Sequence, residues 1–172
     1  MKELAPILNF LKISRARFIS TANEISDQKW RQSPARDVWS AAEIVAHLAM
    51  VEESIVARCR KESQTAPQPL PLLRKIHPPL ALATWRGKKV RSPLSLDADQ
   101  VHDRQRGYSV LQKTREASVA FLESSSERDL SAHHFPHPIF GSLNVYEWYR
   151  FIGYHELRHR KQLRELVEIF HP

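Results

Sequence analysis

At 172 residues, with a formal net charge of +7 and a single cysteine, Cys59, the chain has the length of one domain, cannot close an internal disulfide and fits a reducing compartment. Its first residues are interrupted by charges where a signal peptide would be continuously apolar, and no run approaches transmembrane length, so a cytoplasmic protein with no membrane association is expected. The positive charge raises nucleic-acid binding, but it is dispersed: the densest groups, Arg86, Lys88, Lys89 and Arg91, then Arg158, Arg160 and Lys161, are short and carry no interleaved aromatics, so a solvated basic surface is expected instead.

From about Glu3 to Ile25 apolar residues recur at Leu4, Ile7, Leu8, Leu11 and Phe18, which predicts an amphipathic helix. Turn formers and a proline follow as far as Trp39. Ser40 with Glu43 three residues later is a capping-box arrangement, because each side chain can satisfy a free backbone donor of the other. The second helix then spans about Ala41 to Lys61. Its inward line is Ile44, His47 with Leu48, Val51 and Ile55, which puts His47 on the core stripe.

From Ser63 to Ser95 prolines break every period, yet Leu70, Leu72, Leu73, Ile76, Leu80, Leu82 and Trp85 argue for packing. This connection is expected to cover one end of a bundle with a short helical turn, as a lid or as a plain crossover. A third helix runs from about Ala98 to Ser124, with Asp97 as its cap and Val101, Tyr108, Leu111, Val119 and Leu122 inward. The linker after it is turn-rich; Pro136 and Pro138 forbid a helix around His133, His134 and His137, whose expected role is turn packing or solvent exposure. No sustained alternation argues for a sheet.

The last helix, capped by Asn144 or Ser142 and reaching Phe170, repeats Val145, Trp148, Ile152, His155, His159, Leu163, Leu166 and Phe170 along one face. His155 and His159 stand where leucines would. Residues four apart on a helix have Cβ atoms roughly 6 Å from each other, so both imidazoles can converge on one point. Two readings fit the pair alone: a metal-ligating couple, or one packed histidine satisfied by backbone or water and one at the rim.

Four helices and one long connection predict an all-α fold, a four-helix bundle with a Pro-rich link between the second and third main helices, in a single domain over residues 1–172. Side by side, the second and fourth helices let His47 complete a triad with His155 and His159. Three separate core histidines would need three explanations, and convergence needs one. Three neutral imidazoles leave coordination positions open, the condition for a catalytic metal. Zinc is the first choice on availability, with nickel or iron as alternatives, since imidazole suits all three. Glu43 and Gln162 are the candidate outer partners of the ligands, with a cap and a surface residue as the alternative readings, and for Glu43 the cap is preferred.

At these residues the chain also resembles a known family. The segment WSAAEIVAHLAMVEES, followed about a hundred residues later by HPIFGSLNVYEWYRFIGYHELRHRKQL, is similar to the DinB-like superfamily of metal-dependent enzymes. The shared features are the Trp-Ser opening of the second helix, its histidine, an HPxxGxL turn and a closing HxxxH followed by glutamine. The resemblance implies a four-helix bundle binding a divalent metal through His47, His155 and His159. It also implies either hydrolase chemistry or transfer with a low-molecular-weight thiol, a small-molecule substrate, and a homodimer. The alternative is a non-catalytic basic helical module that binds nucleic acid or another protein, its histidines purely structural.

Overall fold

The structure, a computed structural model, describes residues 4–67, 77–85, 101 and 103–170. Four long helices carry it: α1 (Leu4–Ala22), α2 (Ala41–Glu62), α3 (Arg104–Ser124) and α4 (Val145–Phe170). This is the bundle that the periodicity predicts. Short 3₁₀ turns at Asp27–Lys29 and Leu80–Thr84, and a hairpin of β1 (His134–His137) with β2 (Gly141–Asn144), lie in the connections.

Local chemistry sets the helix starts. The Ser40 hydroxyl accepts the Glu43 N–H at 3.2 Å while the Glu43 carboxylate accepts the Ser40 N–H at 2.7 Å, a complete capping box. Asn144 and Glu147 repeat the exchange at the start of α4, at 2.9 and 2.8 Å. The third helix begins later than its periodicity predicts. Asp103, in extended backbone, accepts the Arg106 N–H at 2.7 Å and caps it; Asp97, the expected cap, and residues 98–100 lie outside the described residues.

The hairpin is a departure from the sequence reading, which foresaw no sheet. Phe135 pairs with Leu143 and His137 with Gly141. Strands of four residues are too short to leave a readable alternation. Gly141, at φ 74°, supplies the left-handed backbone that turns the chain.

Helix α1 packs along α4, and α2 packs along α3 and α4. Ser14 meets Glu156 and Thr21 meets Arg160, so α1 and α4 run parallel. Trp39 meets His159 whereas His47 meets His155, so α2 and α4 run antiparallel. The core divides in two. One apolar cluster holds Ile7, Leu11, Ile55, Phe121 and Ile152, and the other Phe18, Leu48, Leu111, Leu163 and Leu166. Between the halves, on all four helices, lies a charged layer of Arg15, Glu52, Arg115 and Glu156, with Glu52 2% and Glu156 1% exposed.

The described part of the Pro-rich connection runs along the flank of α4 rather than over one end. The His77 ring meets Glu147 at 3.1 Å, Leu80 is buried in the first apolar cluster, and Lys161 Nζ donates to the Thr84 carbonyl at 3.2 Å. Residues 68–76 and 86–100 lie outside the described residues. Cys59 is buried, and burial, with the Glu62 charge adding to it, pushes its thiol pKa up, which suits a packing role. No helix among the described residues is long and apolar enough to cross a membrane.

Candidate metal centre

His47 projects from the second turn of α2, and His155 and His159 from successive turns of α4, where the antiparallel pairing brings the three rings together. The Nε2 atoms of His47 and His155 are 3.3 Å apart, and those of His155 and His159 3.1 Å. One ring nitrogen of each lies within 4.8 Å of the other two, and among the described residues no other group of three or more His, Cys, Asp or Glu side chains is so arranged. His47 and His159 are buried and His155 half-buried.

Each ring is held in its uncharged form. Burial pushes His47 down to about 4. Burial and then the neighbouring His47 push His155 down to about 3. Burial, followed by His155 and His47, takes His159 well below its ordinary value. A neutral imidazole has a free lone pair and is the form that ligates.

The hydrogen bonds then raise a difficulty that protein atoms do not resolve. His159 Nδ1 donates to Gln162 Oε1 at 2.9 Å, which leaves its Nε2 as a lone pair facing the cluster. A proton on His155 Nε2 can serve only one of its two nitrogen neighbours. One of the three facing nitrogens is therefore left unserved. A shared cation removes the conflict, and nitrogens about 2.1 Å from one ion stand roughly 3.0–3.4 Å apart at ordinary coordination angles. The observed 3.1 and 3.3 Å fall in that interval, so the residues fit a divalent ion. Such a site would have three protein ligands and room for one more.

Of the two expected outer partners, Gln162 touches a ligand histidine. Glu43 is turned to Ser40 and Ser33, and His47 Nδ1 is left as a buried atom with no partner. The cap reading of Glu43 accounts for its contacts. The histidines of the linker stay apart: His133 Nδ1 bonds the Glu62 carbonyl at 3.0 Å, and His137 Nδ1 accepts the N–H groups of Ile139 and Phe140 at 3.0 and 3.2 Å, fastening the hairpin turn.

Two aromatic walls were not foreseen. Trp39 stacks on His159 and tilts against His47 at 4.9 Å, and Phe151 stacks on His155 with 5.5 Å between centroids. Their signal was in the spacing. Trp39, Glu43 and His47 recur every four residues, and Phe151 precedes His155 by four.

Comparison with known proteins bears on the family and the fold. The profile of the DinB superfamily matches residues 11–163. An uncharacterized protein of Bacillus subtilis (strain 168), YuaE, is 32% identical over 157 residues, covering 87% of this chain and 92% of that protein. Among solved structures, the crystal structure of TT2238, a four-helix bundle protein, superposes with a TM-score of 0.60 at 22% identity, covering 94% of this chain and 98% of that one. At that identity the likeness concerns the fold alone.

Proposed function

The chain belongs to the DinB superfamily, and from that membership we propose that it is a metal-dependent enzyme whose His47, His155 and His159 hold one divalent ion, zinc first, with nickel or iron as alternatives. The observation that carries this reading is the convergence of three neutral imidazoles in which neighbouring Nε2 atoms stand 3.1 and 3.3 Å apart and protein protons cannot serve all three. When bound, the ion supplies Lewis acidity, drawing the pKa of a water or thiol in the remaining position toward neutrality.

The chain's own residues prepare that position. Gln162 accepts the Nδ1 proton of His159 and so fixes its tautomer and ring plane. Trp39 and Phe151 close two sides of the ring cluster with apolar surface, which keeps bulk water from its flanks and strengthens electrostatic interactions within. A small electrophilic substrate is the partner this suits, attacked by water in a hydrolysis or by a low-molecular-weight thiol in a transfer. A cytoplasmic location and a homodimer belong to the same proposal.

Metal analysis of the purified wild type beside a His155→Ala, His159→Ala double variant tests the site. About one equivalent of divalent metal is expected in the wild type and none in the variant. Equal, negligible metal in both overturns the reading.

A further inference from the structure

We propose that the charged layer of Arg15, Glu52, Arg115 and Glu156 sets the register of α2 against α4, and that Arg15 and Arg115, on helices that carry no ligand, are positioning residues for the three histidines. This rests on the three-histidine reading above.

The layer obeys an approximate two-fold. Arg15 Nε donates to Glu156 and its Nη2 to Glu52 at 2.9 Å; Arg115 Nε donates to Glu52 at 2.7 Å and its Nη2 to Glu156 at 3.4 Å. Arg15 Nη1 reaches the Leu111 carbonyl on α3 at 2.6 Å, and Arg115 Nη1 reaches the Leu11 carbonyl on α1 at 2.7 Å. Ser14 donates to Glu156 at 2.6 Å, and Ser118 to Glu52 at 2.7 Å. Exchanging α1 with α3 and α2 with α4 maps the pattern onto itself.

Such a layer does what apolar packing cannot. Dispersion is non-directional, so a wholly apolar seam tolerates sliding, whereas two guanidiniums, each bound to two carboxylates and a carbonyl, admit one axial register. Buried ion pairs stabilise little compared with well-packed apolar residues, and specifying register is their better-attested use. Register is what the histidines need. A slip of one residue moves a helix about 1.5 Å and turns it about 100°, enough to part nitrogens that now stand 3.1 and 3.3 Å from each other.

The anchor points are close to the ligands. Glu156 lies between His155 and His159, and Glu52 follows His47 by five residues. The same two-fold gives the ligands counterparts: five before Glu156 is Phe151, and one before and three after Glu52 are Val51 and Ile55. Phe151 and Ile55 belong to the first apolar cluster, and Val51 packs against it. The α2–α4 seam thus has two equivalent ends, of which a single one is furnished with ligands.

The test uses Arg115→Lys, which keeps the charge but cannot span both carboxylates, and Ser118→Ala, a milder change that removes one bond to Glu52. Leu130→Ala, in the apolar cluster and outside the layer, serves as a control of comparable or greater destabilisation. Two quantities are read on the folded chain: the imidazole NMR resonances of His47, His155 and His159, and zinc affinity by competition with a chromogenic chelator. Both layer variants are expected to move the resonances of all three rings, and Arg115→Lys to weaken zinc about tenfold or more, while Leu130→Ala leaves both quantities at wild type. Ring resonances unchanged in the layer variants, or moved as far by Leu130→Ala, overturn the proposal. If Arg115→Lys does not fold, Ser118→Ala decides. Failure of the wild type to bind zinc would remove the metal reading, and the ring resonances would still decide the positioning.

Discussion

Trp39 lies flat against His159, with 6.1 Å between ring centroids and 12° between planes. Its indole also meets His47 at 4.9 Å, so one side chain that precedes α2 touches a ligand candidate on each helix. Its emission should therefore report on occupancy of the site. Nickel titration is expected to quench part of the wild-type tryptophan fluorescence. The quenching should vanish in Trp39→Phe while nickel stoichiometry is retained; undiminished quenching in that variant would place the reporter at Trp30, Trp85 or Trp148.

The capping box separates a structural from a functional role for Glu43. Because its carboxylate serves Ser40 and Ser33, Glu43→Ala and Ser40→Ala should each lower stability by about 1 kcal/mol. Urea unfolding midpoints measure this. Zinc stoichiometry is expected to stay at the wild-type value in both, and its loss in Glu43→Ala alone would return the carboxylate to the site.

At Gly153 the Phe10 ring of α1 packs directly against the backbone of α4. A Cβ built there would stand 2.4 Å from Phe10 Cε1 and 2.8 Å from its Cδ1. Gly153→Ala should destabilise the bundle by about 1–3 kcal/mol through overpacking. Adding Phe10→Leu should recover part of that loss, a non-additivity that a double-mutant cycle of unfolding free energies would detect.

Acid should loosen the charged layer before other parts of the core. Burial alone would raise the Glu52 carboxyl, but the Arg115 and Arg15 cations and the Ser118 hydroxyl outweigh it and hold the group below its ordinary 4.5. A carboxyl depressed in the folded state binds fewer protons there than in the unfolded chain. Its stabilisation is therefore complete above about 4.5 and is lost as pH falls through the lower folded value. Thermal midpoints recorded from pH 7 to 3 should drop steeply below about pH 4.5 in the wild type. Glu52→Gln should start lower at pH 7 and show a shallower drop.

Much of the fold was legible in the residues. The 3.6-residue recurrence of apolar positions marked all four helices, and Ser40 with Glu43 marked the start of α2. Helical spacing is local, so HxxxH already placed His155 and His159 on one face of α4. The β1–β2 hairpin and the late start of α3 at Asp103 escaped because each depends on a few residues whose pattern is no longer than a turn. Arg15, Glu52, Arg115 and Glu156 escaped for a different reason. One charged residue on an amphipathic helix reads as solvated surface, and only a partner from another helix makes its burial tolerable.

Sequence alone therefore determined the apolar face of each helix, with His47 on it, because the period of the helix is written in neighbouring residues. Tertiary structure decided that α2 and α4 run antiparallel at a register where the three imidazoles meet, that Trp39 and Phe151 wall them, and that two buried carboxylates and two half-buried guanidiniums cross-tie the helices. Those are relations between residues up to 142 positions apart, as with Ser14 and Glu156. No local period carries them; only the packing of complementary surfaces, charge against charge and ring against ring, brings them about.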